Sequence, residues 1–333
     1  MTDVLILGGT GWLGGRVAAA WLDAGASVTC LARGARDAPY GARLVRADRT
    51  APDAYDGVRG RDWDEVIDVS SRAAHVAAAA DALREVARHV TYVSSVSVYA
   101  RDDEPGADER AVLAAPADPT DADADTDYAG NYAAQKSAAE NAIRAVFPHR
   151  AAIVRPGLIV GPGDPTDRFG YWPARFAAAG AGPVLVPDAP DARVQVIDVD
   201  GLADFLVAVG RARFSGAVNA VGDSMPLAEV LRLARTASDH SGDVVRASPE
   251  ELRARDVDYW AGPRSLPLWL PADAPGFATR SNATYRLLGG ALRPLAETIA
   301  RVLDDERARG LERPRAAGLT RADELALISA REQ

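Results

Sequence analysis

In the stretch GNYAAQKSAAEN, residues 130–141, Tyr132 and Lys136 stand four residues apart, and Lys136 is the only lysine in the 333-residue chain. Arginine supplies the other 37 of its 38 cationic side chains. On a helix, residues spaced i, i+4 emerge on one face, one turn apart. A phenol with its usual pKa of about 10 exchanges protons poorly at neutral pH. A neighbouring cation stabilises the phenolate and brings that pKa toward the range of general acid–base work. An ammonium with three rotatable donors can support the phenol and hold ribose hydroxyls together, whereas a planar guanidinium does not fit both tasks. The spacing therefore points to proton transfer by Tyr132, with Lys136 as its support.

A second constellation is GGTGWLGG, residues 8–15, directly after an apolar run. Gly8, Gly11 and Gly14 recur every third residue between a strand pattern and a helix pattern. In such a unit the first glycine makes a tight turn, the second lets backbone approach a pyrophosphate, and the third packs helix on sheet. Gly8, Thr10, Gly11, Trp12, Leu13 and Gly14 are thus the expected phosphate-side contacts, at a helix N-terminus whose amides favour anions. The next strand ends in Ala32-Arg33, where a carboxylate would select the 2′-hydroxyl of NAD. A guanidinium at Arg33, with Arg36 near by, suits a 2′-phosphate instead. NADP is accordingly favoured over NAD, and Asp48 is expected at the adenine edge.

A carbonyl oxygen gaining charge also needs a hydroxyl donor. YVSSVSVYA, residues 92–100, closes a strand at the sheet edge where such folds bind ligands, which makes Ser94, Ser95 and Ser97 candidates.

These groups need a frame. Strand patterns at 4–7, 28–32, 44–47, 66–69, 90–94 and 151–154 alternate with helical patterns at 12–22, 76–86 and 132–147. That alternation predicts stacked βαβ units on a parallel sheet. The expected architecture is α/β: a doubly wound Rossmann sheet over 1–155, joined by a returning segment near 193–221, with a smaller α+β substrate part over 156–333. Helices are expected at 198–213, at 226–238 and in the tail, and a strand at 217–221. Residues 101–127 lose periodicity and end in an acidic, proline-punctuated loop, read as a solvated segment.

A net charge of −9 gives no basic footprint for nucleic acid or an anionic membrane, and no apolar run reaches the span of a bilayer. The single cysteine, Cys30, forms no intrachain disulfide, which makes a cytoplasmic setting the expectation. The four histidines lack the spacing of metal ligands, so no metal is expected. Arg155 ends the sixth strand as either an ion-pair partner or a contact beside the nicotinamide. In GDPTDRFGYW, Arg168, Tyr171 and Trp172 are candidate substrate contacts, Trp172 equally a packing residue. Trp269, in SLPLWLPAD, either packs or caps a pocket.

Together GGTGWLG, YVSSVSVYA, YAAQK and RPGLIVGPGD, in that order, resemble the extended short-chain dehydrogenase/reductase superfamily. Within it the chain looks most like an actinobacterial reductase-like branch. The resemblance covers most of the chain and weakens after about residue 225. It implies Ser95 as the catalytic serine, Tyr132 as acid/base and Lys136 as its ribose-binding partner, with a small-molecule substrate and a possible homodimer. Two departures matter: Val96-Ser97 stands where dehydratase members carry an acidic pair, and DVSSRAAH lacks the usual asparagine loop. Ser70, with Ser71 and Arg72, then lines the cofactor, and Ser97 faces the substrate. The expected activity is hydride transfer to or from a ketone or secondary alcohol. A nucleotide-sugar epimerase retaining NAD and a dinucleotide-sensing regulator are the alternatives.

Overall fold

The computed structural model describes residues 2–118 and 128–331, so the acidic run at 119–127 lies outside the described residues. Strands β1 (Asp3–Leu7), β2 (Ser27–Ala32), β3 (Arg43–Arg46), β4 (Glu65–Asp68), β5 (Val90–Val93) and β6 (Ala151–Pro156) form one sheet with β11 (Gly216–Ala220). Its order is β11-β6-β5-β4-β1-β2-β3, and every neighbouring pair is parallel. The winding reverses between β1 and β4, the switch point where a doubly wound sheet opens a crevice at its strand C-termini.

The strand period of two sorts β1 between two cores. Val4 and Ile6 pack with helices α1 (Trp12–Asp23) and α5 (Val199–Arg211) on one face. Leu5 and Leu7 pack with α2 (Ala73–Leu83) and α3 (Tyr128–Val146) on the other. A sheet covered on both faces explains why its strands read as nearly unbroken apolar runs.

Beyond β6 the pairing is local. β7 (Leu158–Val160) pairs with β10 (Val196–Asp198), and β9 (Arg193–Val194) with β12 (Met225–Pro226). β8 (Val184–Pro187) pairs with β13 (Val244–Ala247), and β14 (Asp258–Trp260) with β15 (Ser265–Pro267). These segments share a third hydrophobic core with α4 (Tyr171–Ala179), α6 (Leu227–Ala237), α9 (Leu295–Arg309) and α10 (Arg321–Ser329). The short helices α7 (Pro249–Arg253) and α8 (Ala283–Leu287) complete the chain order. Asp198 stitches the two halves. Its carboxylate caps α5 by accepting from the amides of Asp200 and Gly201, and accepts the Thr298 hydroxyl of α9 at 2.8 Å.

Candidate active site

The site is assembled at the C-terminal ends of β4 and β5, where they meet helix α3. Ser94, the first residue after β5, donates its hydroxyl to Glu140 Oε1 at 2.6 Å and is thereby committed to the helix. Ser95 differs. It starts a short 3₁₀ turn over Val96–Val98, and its Oγ accepts the Ser97 amide at 3.1 Å. That arrangement occupies a lone pair and leaves the Ser95 proton to donate. Of the three serines open from sequence position, Ser94 is thus committed, while Ser95 keeps a hydroxyl proton it can donate. The Ser97 amide is what fixes the Ser95 hydroxyl.

Lys136 is buried, at 2 % exposure. Its ammonium donates to the carbonyls of Val93, at 2.7 Å, and Ser70, at 3.0 Å, clamping the ends of β5 and β4 together. Nζ lies 5.9 Å from the centroid of the Tyr132 ring and 4.9 Å from that of Tyr92. Burial pulls the Lys136 pKa down to about 7, against the charges of Asp68 and Glu140. Arg168 lies on the loop before α4 within electrostatic range of Tyr132; burial lowers its pKa, against the charge of Asp164 and of a phenolate at Tyr132. That loop is held rigidly: Asp167, at φ +59°, accepts the Ala316 amide at 2.9 Å and pairs with Arg313.

Beside these groups a cleft of about 660 Å³ runs across the switch point. Gly8, Thr10, Gly11, Arg33, Asp48 and Ser70 line it, as expected from their positions, together with Arg36, Ser71, Arg72 and His75. Gly8 needs its glycine, since its φ is +92°. At Gly14 an added Cβ would sit 2.2 Å from the Gly8 carbonyl oxygen, so Gly14 serves the close approach of α1 to the loop. Arg33 and Arg36 are exposed at the lip. The Asp48 carboxylate accepts the Thr50 amide at 3.0 Å and the Thr50 hydroxyl at 2.8 Å, bonds that hold its pKa below the usual range.

Other side chains named from the sequence have partners outside this cleft. The Trp12 indole donates to the Pro162 carbonyl at 2.9 Å, bridging the glycine loop to the segment after β7. Leu13 packs against the hydrophobic core beneath the sheet. Of its two expected readings, Arg155 takes the structural ion pair rather than the cofactor contact. It is 1 % exposed, its Nε and Nη2 grip the Glu140 carboxylate at 2.9 and 2.7 Å, and Nη1 donates to the Tyr99 hydroxyl. Trp172 takes its packing reading, and Tyr171, expected at the substrate, is instead buried beside it in the third core; the Trp172 indole donates to the Pro267 carbonyl at 2.7 Å. Trp269 belongs to the same core.

Two functional supports escaped the sequence reading. Glu140 continues the Tyr132, Lys136 face by one more turn, a spacing that could have revealed it. It gathers Ser94, Arg144 and Arg155 on one buried carboxylate. Asp68, at the end of β4, is gripped by Arg49 through bonds of 2.8 and 2.6 Å and accepts the Ser70 amide. Nothing in the spacing of Arg49 and Asp68 announces that pair.

The NAD dependent epimerase/dehydratase family model matches residues 4–221. A ceramide reductase of Caulobacter vibrioides is 33% identical over 171 residues, covering 44% of this chain and 50% of that protein. The match thus spans half of that relative's length. Among solved structures, UDP-N-acetylglucosamine 4-epimerase from Bacillus cereus superposes with a TM-score of 0.68 at 14% identity, covering 96% of this chain and 100% of that one. The UDP-glucose 4-epimerase of Thermus thermophilus, solved with NAD, gives 0.64 at 17% identity over 93% and 100%. At such identities the likeness is one of fold.

Proposed function

The chain belongs to the NAD dependent epimerase/dehydratase family and is an NAD(P)-dependent enzyme, and on that premise we propose that it is an NADPH-dependent reductase of a ketone. The observation that carries this reading is the buried Lys136 ammonium between the Tyr132 ring and the ends of β4 and β5, alongside the glycine-lined cleft. When bound, NADPH supplies a hydride to the carbonyl carbon and leaves as NADP⁺. Ser95 donates a hydrogen bond to the carbonyl oxygen as negative charge grows on it. Tyr132 delivers its phenolic proton to that oxygen, giving the alcohol. Lys136 and Arg168 place positive charge near the phenolate that remains, and solvent returns the proton.

Preference for NADP rests on the cleft lip. Arg33 and Arg36 stand exposed where β2 ends, and Asp48, the carboxylate that lines the cleft with them, is engaged by Thr50. The relative described as a ceramide reductase supports net reduction over epimerisation. Val96-Ser97 after the catalytic serine argues against dehydration.

Fluorescence titration with NADPH and NADH tests the proposal. NADPH should bind more tightly, and Arg33→Ala should weaken it roughly 10- to 100-fold, the value of a charge-assisted contact of about 1.5–3 kcal/mol. Tyr132→Phe should keep NADPH affinity while lowering ketone reduction about 10²- to 10⁴-fold. Tightly retained NAD, with no effect of Arg33→Ala, would turn the reading toward an epimerase.

A further inference from the structure

From Arg168, within electrostatic range of Tyr132, a run of ring contacts leads toward a separate groove. Arg168, whose charge acts on Tyr132, stacks its guanidinium 4.9 Å from the Trp260 ring centroid. Trp260 meets Phe277 edge-on at 5.3 Å. Those two rings, with Val96 beside the catalytic Ser95, Leu158, Val194 and Ala278, enclose a constriction of about 10 Å³, room for about one water. Arg193 and Ala278 are also walls of a groove of about 340 Å³ on the far side.

That groove is built for hydrocarbon. Ala192, Tyr259, Leu270, Pro271 and Pro275 line it, and the buried Trp269 backs it with its ring centroid 4.1 Å from that of Tyr259, the two tilted by 47°. The charged residues lining it are Asp188, Asp191 and Arg193, and Arg193 spends two donors on the Ser224 carbonyl and hydroxyl. A diphosphate would meet two carboxylates and one engaged guanidinium, a poor exchange for its hydration. Trp260 and Leu268 hold positive φ values of +64° and +69°, costly for non-glycine residues, and they adjoin the groove aromatics Tyr259 and Trp269. Strain of this kind, about 1–3 kcal/mol per residue, is concentrated at ligand clamps.

We infer that this groove receives the unbranched hydrocarbon chain of the ketone whose carbonyl meets Ser95 and Tyr132, with Trp260 as the gate that the chain displaces. The inference rests on the reductase reading and adds the substrate class: a long-chain aliphatic carbonyl compound. Apolar burial along the groove holds the chain, and the Arg168 side of the gate faces the reacting end.

Reduction of 2-alkanones from 2-butanone to 2-dodecanone, followed through NADPH consumption, provides the test. With the groove in use, kcat/KM rises about fourfold per methylene until the groove is filled, the ratio equivalent to ~0.8 kcal/mol per buried CH₂. Leu270→Gln, at a half-buried groove position, lowers the dodecanone-to-butanone ratio about tenfold. A binding readout independent of chemistry is displacement of anilinonaphthalene sulfonate by 1-dodecanol, compared in the wild type and the Leu270→Gln protein. A flat chain-length series overturns the groove assignment while the reductase reading stands. Dodecanol displacement that Leu270→Gln weakens, with no ketone reduced, supports the groove and removes the reductase reading. Neither reduction nor displacement overturns both.

Discussion

Lys136 must carry charge in surroundings that oppose it. Burial holds its pKa near 7, while the same side chain in an unfolded chain titrates at about 10.4. Between those values the unfolded chain binds more protons than the folded one, so stability rises with pH through that window. Below about pH 7 the ammonium is charged in both states, and the burial penalty is present in full. Lys136→Met removes this titration. Urea denaturation without nucleotide should therefore show wild type gaining on the variant by on the order of 2 kcal/mol from pH 7 to pH 9. At this scale the sequence was informative. The shared helix face of Tyr132 and Lys136 follows from their spacing, and the place of Gly8 and Gly11 along the cleft from their position after a strand. The fate of Arg155 did not follow, because a guanidinium at a strand end suits a ligand or an ion pair equally until the opposing helix is positioned.

The opposing helix is α3, and its attachment decides the site geometry. Glu140 joins it to β6 through Arg155 and to β5 through Ser94, while Gln135 accepts the Ala73 amide at the start of α2 at 2.8 Å. Removing one member of a buried ion pair leaves an uncompensated charge and costs roughly 3–5 kcal/mol. Glu140→Gln should lower the unfolding free energy by about that amount. Glu140→Gln combined with Arg155→Met should cost less than the sum of the single changes, as a double-mutant cycle by urea denaturation would show. Strands β1, β2, β4, β5 and β6 were legible because coverage on both faces makes them continuous apolar runs. Helix α9 was not predicted. Its buried hydrophobics are only Ile299, Val302 and Leu303, set among charged residues, and its capture by Asp198 depends on a residue a hundred positions away. The paired segments β8 with β13 and β14 with β15 were unread for a related reason. Each is four residues or shorter, and four other strands lie between β8 and β13 along the chain.

At the scale of the whole molecule, an acidic protein presents arginines at the lip of its cleft and a net charge of −9 overall. Long-range attraction of an anionic cofactor is therefore weak, and under the proposed NADPH reading selectivity falls to the local groups Arg33 and Arg36. The arrangement also makes the protein report on its own opening. With a single ε-amine in 333 residues, a protease specific for lysine has one bond to cut, and that bond lies within α3 against both β4 and β5. Cleavage requires the helix to leave the sheet, so its rate follows the population of open molecules when reclosing is fast. Digestion should yield two fragments, residues 1–136 and 137–333, without smaller products. NADPH at 100 times its dissociation constant, binding only the closed form, should slow their appearance about a hundredfold, the equivalent of ~2.7 kcal/mol. Gel densitometry with and without the nucleotide would read that ratio directly. A buried lysine thus doubles as a molecular tripwire, sensitive to the separation of one helix from two strands.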